Sequence, residues 1–163
     1  MHYFAYCTYL DDAELKVYLP EARFVTKARV RDHQVRFHAA AERRDRGWCH
    51  LADVPGEAAL GIVYEVNDGR EEDQFDDFET FRVTATGDDG NEYDCYTYRL
   101  LRPGVPMRPP NYYWRHIPLG LRNHEFPADY IEKVEGTYAA ALECPDADRP
   151  KPAAAPGKSA ASR

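Results

Sequence analysis

The sequence predicts an α+β domain, and three observations predict it. Segments of period-two alternation fill the centre of the chain, helix-start signals stand near its two ends, and the composition supplies material for one core. Of 163 residues, 44% are apolar and 13% aromatic, enough for a packed interior without metals or staples.

The elements follow in order. Residues 3–6 read as a short aromatic strand ending in a loop. Asp11 reads as a helix cap, with acids in the first turn behind it and Pro20 as the stop. Residues 28–39 alternate around Val30, Val35 and Phe37, and residues 47–51 form a second short strand. The Pro55-Gly56 dipeptide predicts a turn between that strand and the next, residues 58–66, whose nearly continuous apolar run implies burial on both faces. Residues 71–77 are densely acidic. Residues 81–86 and 93–98 alternate on either side of Asp89-Gly90 and predict a hairpin. Four prolines between 103 and 110 predict an irregular loop. Pro127 opens the last helix, which reaches about Leu142. The predicted domain covers residues 1–143. Residues 144–163, rich in Ala, Pro, Lys and Ser, are expected to be a disordered tail.

Charge narrows the function classes. A net charge of −7 argues against a nucleic-acid or anionic-membrane partner, since both need a basic footprint. No apolar run has membrane-spanning length, and the first residues carry no basic, apolar leader, so a cytoplasmic location is expected. The four cysteines, Cys7, Cys49, Cys95 and Cys144, include no C-x-x-C pair and are expected to be free thiols. Cys49 and His50 are neighbours, so on a strand they point to opposite faces, which disfavours a metal site built from them with His38 or Cys95.

Two distant segments carry the chemistry. One is Tyr3-Phe4-Ala5-Tyr6-Cys7-Thr8-Tyr9-Leu10. The other runs from Pro109-Pro110-Asn111-Tyr112-Tyr113 through Gly120 to Phe126-Pro127-Ala128-Asp129-Tyr130. Between them stand Ala28-Arg29-Val30-Arg31-Asp32, Gly61-Ile62-Val63-Tyr64-Glu65-Val66 and the Asp89-Gly90 turn. In this order the pieces resemble the gamma-glutamylcyclotransferase family over residues 3–135. The resemblance implies a small mixed or antiparallel β-barrel flanked by short helices. The family's Tyr-Gly-Ser-Asn-Leu loop is here Tyr6-Cys7-Thr8-Tyr9-Leu10, so Cys replaces the Gly that allows close backbone approach.

The family reaction is intramolecular. The α-amine of a gamma-glutamyl group attacks its own side-chain amide, 5-oxoproline forms, and the attached amine leaves. Tethering supplies the nucleophile, so the enzyme folds the substrate and moves protons without metal or cofactor. The resemblance places substrate-binding roles on Tyr6, Cys7, Thr8, Tyr9, Leu10 and Tyr113. It places the general acid/base on one of three glutamates. Local similarity favours Glu79, and counting back from the Asp89-Gly90 turn favours Glu71 or Glu72. The implied partner is a small gamma-glutamyl amine or related amide. Two alternatives stay open: a scaffold that has lost the reaction and binds a small molecule or protein, and a thiol enzyme acting through Cys7.

Overall fold

The structure, a computed structural model, describes residues 1–67 and 76–153. Among the described residues, six strands and four helices run in the order β1 (His2–Ala5), α1 (Asp12–Tyr18), β2 (Arg23–Ala40), β3 (Gly47–Glu65), β4 (Phe78–Gly87), β5 (Glu92–Leu100), β6 (Pro103–Pro106), α2 (Asn111–Trp114), α3 (His116–Asn123) and α4 (Ala128–Ala140). A 3-10 turn, Thr8–Leu10, links β1 to α1.

The strands close on themselves. The sheet order β3-β1-β5-β4-β2-β6, with β3 also paired to β2, makes a five-stranded barrel that carries β6 outside. Among the strands described, β1 and β5 run parallel and the other pairings are antiparallel. Closure leaves the barrel strands few free edges. Phe4, Phe37, Leu51, Ile62, Val63, Ala85 and Cys95 are fully buried in the core.

Three expectations differ from the structure, each for a physical reason. First, Pro55-Gly56 does not end a strand. β3 runs through it as a bulge, because Arg31 pairs with Ala58 while His33 pairs with Asp53. Gly56 takes φ +85 there, and its N–H donates to Asp32 Oδ1 at 2.9 Å, with Asp32 itself at φ 62. Second, part of the proline-rich segment is ordered. Pro103 and Pro106 sit on β6, where a missing N–H is tolerated at an edge, and residues 111–123 form α2 and α3. Third, residues 144–153, expected to begin a disordered tail, lie against the body. Asn111 N–H donates to Ala147 O at 2.9 Å and Arg149 Nη2 to Asp45 O at 2.6 Å, while Lys151 pairs with Glu14. No helix among the described residues is long and apolar enough to cross a membrane.

Candidate functional site

β1 ends against β3 and β5 and delivers the chain into the turn at Cys7. Leu10 N–H donates to Cys7 O at 3.1 Å and Asp11 N–H to Thr8 O at 3.2 Å, which closes the turn. The first donors of such a turn, Thr8 and Tyr9 N–H, have no acceptor within it. Gly120 on α3 fixes the turn from behind: a Cβ there would stand 2.3 Å from Leu10 C, so only glycine lets the helix approach this closely. A buried polar group adds to that contact. Asp11 Oδ1 accepts from Ala13 N–H at 3.1 Å and caps α1, while Asp11 Oδ2 faces His116 Nδ1 at 2.7 Å. Glu14 Oε2 lies 3.2 Å from the other His116 nitrogen.

Cys7 and Cys49 are joined by a disulfide, with Cα atoms 6.3 Å apart. This corrects the expectation of four free thiols; only Cys95 and Cys144 are free, and both are buried. The two residues are 42 apart in sequence, and barrel closure brings them together. Burial pushes the Cys95 thiol up to about 12, so it is inert at neutral pH.

Tyr113, on α2, meets the same place. Its hydroxyl accepts from Cys49 N–H at 3.2 Å and lies 3.1 Å from Cys7 Sγ. Its ring stands edge-on to Trp48, with centroids 5.8 Å apart, and Trp48 stands edge-on to Phe78 at 5.5 Å. Burial raises the Tyr113 phenol, a tendency that Cys49 N–H and the Arg46 cation oppose. Tyr6 is buried, and its hydroxyl donates to Tyr98 O at 2.6 Å. Burial raises its phenol well above the usual range; Tyr113 adds to this and Arg99 opposes it.

The other residues singled out from sequence scatter. Thr8 is half-buried beside Cys7. Tyr9 turns to Tyr3 and Tyr18, at centroid distances of 6.1 and 5.9 Å. Leu10 is in the core at 1% exposure. Glu71 and Glu72 lie outside the described residues. Glu79 lies on β4 and shares a strand face with Phe81, Val83 and Ala85, of which the last two are buried. Arg99, its cross-strand partner, holds the carboxylate: Nε to Oε1 is 2.7 Å. Arg99 also reaches Asp53 at 3.4 Å and lies over the Phe81 ring at 4.2 Å. Among the described residues no group of His, Cys, Asp and Glu could hold a metal ion.

Sequence reasoning missed Cys49, Arg46, Trp48 and Arg99 as parts of this region. One local signal existed. Arg46 and Trp48 are two apart at the head of a strand, so they share a face. Arg46 closes the charged run Glu42-Arg43-Arg44-Asp45-Arg46, yet it is only 6% exposed.

No family model matches the sequence. Gamma-glutamylcyclotransferase of Bos taurus is 24% identical over 144 residues, spanning 81% of this chain and 76% of the bovine protein. A solved structure of a gamma-glutamyl cyclotransferase superposes with a TM-score of 0.70 at 21% identity, covering 97% of this chain and 92% of that one. The chain is similar in sequence to a gamma-glutamylcyclotransferase and shares the fold of one. An uncharacterized protein from Homo sapiens superposes with a TM-score of 0.73 at 22% identity, covering 94% and 92% of the two chains. On this gamma-glutamylcyclotransferase-like fold, Cys7, Thr8 and Tyr9 are where the loop after β1 departs from the resemblance read in the sequence.

Proposed function

We propose that the protein is a gamma-glutamylcyclotransferase-like enzyme that releases an amine from a gamma-glutamyl amide and forms 5-oxoproline. The observation that carries this reading is the contact of Cys7 with Tyr113. It joins the loop after β1 to the closing segment at one place, on a fold shared with a gamma-glutamyl cyclotransferase. The turn residues Cys7, Thr8 and Tyr9 present backbone N–H groups to the glutamyl end and to the oxyanion, and the Tyr113 hydroxyl adds a donor. A glutamate, Glu79 or one of Glu71 and Glu72, takes the ammonium proton and returns it to the leaving amine.

The Glu79–Arg99 ion pair favours a second reading, in which the scaffold binds a gamma-glutamyl compound without turnover. A carboxylate already held by a guanidinium must leave that partner to reach an amine. The test is 5-oxoproline release from a panel of gamma-glutamyl amines and dipeptides. Substituting the base by Gln lowers turnover by about 10²–10⁴-fold, so Glu79→Gln, Glu71→Gln and Glu72→Gln measured in parallel identify it. Absence of product from every member of the panel rejects the enzyme reading.

A further inference from the structure

Arg46 stands at the head of β3 and is 6% exposed. Its Nε donates to Gly47 O at 3.1 Å and its Nη1 to the Tyr112 hydroxyl at 2.5 Å. Its Nη2 is buried and has no hydrogen-bond partner. No Asp or Glu among the described residues forms an ion pair with it. Three aromatic rings enclose the guanidinium instead: Cζ lies 3.4 Å from the Trp48 centroid, 5.0 Å from Tyr113 and 5.6 Å from Tyr112.

A guanidinium keeps its charge at any working pH, so burial cannot neutralise it. Aromatic faces offset part of the lost hydration, but they leave the Nη2 protons unmatched. A buried cation without a counter-ion is costly, and such groups are ordinarily paired. Among the described residues no acid pairs with it, and the guanidinium lies against Tyr113, whose hydroxyl reaches the Cys7–Cys49 bond. Trp48, Tyr112 and Tyr113 are all half-buried, so the cage borders solvent.

We propose that Arg46 is the counter-cation for a carboxylate of the ligand, bound through Nη2 beside the Tyr113 hydroxyl. The proposal rests on the preceding reading for the ligand's identity alone. A gamma-glutamyl amino acid offers two such groups: the α-carboxylate of the glutamyl end, and the carboxylate of the attached amino acid. Either satisfies the same nitrogen by a charge-assisted hydrogen bond.

The experiment uses ligands that cannot cyclise. N-glutarylglycine is gamma-glutamylglycine without its α-amine, and it keeps both carboxylates. Its binding, and that of its two monoamides, is measured by calorimetry on the full chain and on Arg46→Met. Amidating the carboxylate that faces Arg46 weakens binding to the unsubstituted chain by about 10–100-fold. In Arg46→Met the same amide and its parent bind alike, and whichever monoamide shows the effect names the source. Arg46→Lys, which keeps a point charge, retains part of the discrimination. Equal effects of amidation in both proteins overturn the proposal, as does a chain that binds the diacid no better than either amide. The second comparison needs no variant and stands even where Arg46→Met fails to fold. Release of 5-oxoproline from gamma-glutamylglycine is scored separately. Product with amide-insensitive binding sinks Arg46 alone, and amide-sensitive binding without product sinks the cyclotransferase reading alone.

Discussion

Reducing the Cys7–Cys49 bond should destabilise the protein more than any single hydrogen bond in the candidate site contributes. The bond closes a loop of sequence separation 42. On the chain-entropy model such a loop constrains the unfolded state by about 4 kcal/mol at 25 °C, and measured values centre somewhat lower. For a chain of this size each kcal/mol moves the thermal midpoint by about 2–4 °C, so reduction should lower it by about 6–12 °C. The assay pairs urea unfolding, with and without a phosphine reductant, with thiol titration in denaturant. Before reduction only Cys95 and Cys144 react, and after it all four cysteines do. Four thiols titrating before reductant is added would refute the assignment of the bond. Two thiols with unchanged midpoints would refute the energetic argument.

Two further predictions concern neighbouring groups. Tyr113→Phe removes the acceptor of Cys49 N–H and should cost about 1–2 kcal/mol by urea unfolding. It should also raise KM for any gamma-glutamyl substrate, and an unchanged KM would take Tyr113 out of the site. His50 is held at about 4, below its ordinary 6.5, by burial first and then by His38 and Arg99. Between those values the unfolded chain binds a proton that the folded chain refuses, so stability falls as pH drops from 7 towards 4, by at most about 3 kcal/mol. His50→Asn keeps an acceptor for Leu100 N–H, which now donates to Nδ1 at 3.2 Å, and should flatten that part of the profile. Parallel profiles would exclude His50 as the cause.

The β4–β5 hairpin was legible because its signals are local: period-two alternation on two segments and an Asp-Gly turn between them. The structure extends each strand by a few residues, to Phe78–Gly87 and Glu92–Leu100. β3 was legible only in halves. Pro-Gly is a local turn signal, and what turns it into a bulge is Asp32, reached from another strand. α3 was hidden by Pro118, which falls in the first turn of the helix, where the missing N–H costs nothing. The loop, Tyr113 and the family likeness could be read from the two ends of the chain. The Cys7–Cys49 bond could not, and of the Arg46 cage only the Arg46–Trp48 spacing could, because barrel closure makes the rest and no local pattern encodes which distant side chains it brings together.

Cys7 is where the chain departs most sharply from the family pattern, and its chemistry can be decided by symmetry. In the structure the residue takes φ −127, outside the left-handed region that favours glycine. Its side chain is drawn back to Cys49, away from the role of a nucleophile, since a disulfide sulfur carries no thiolate. Cys7→Ser and Cys49→Ser cut the same bond and should therefore behave alike: equal losses of stability, and equal changes in 5-oxoproline release. If Cys7 instead attacks the substrate, the two variants part company. Cys7→Ser abolishes turnover, whereas Cys49→Ser frees the thiol and preserves or raises it. Equal behaviour identifies a staple that holds the turn to β3, and unequal behaviour identifies a thiol enzyme whose nucleophile is stored in oxidised form.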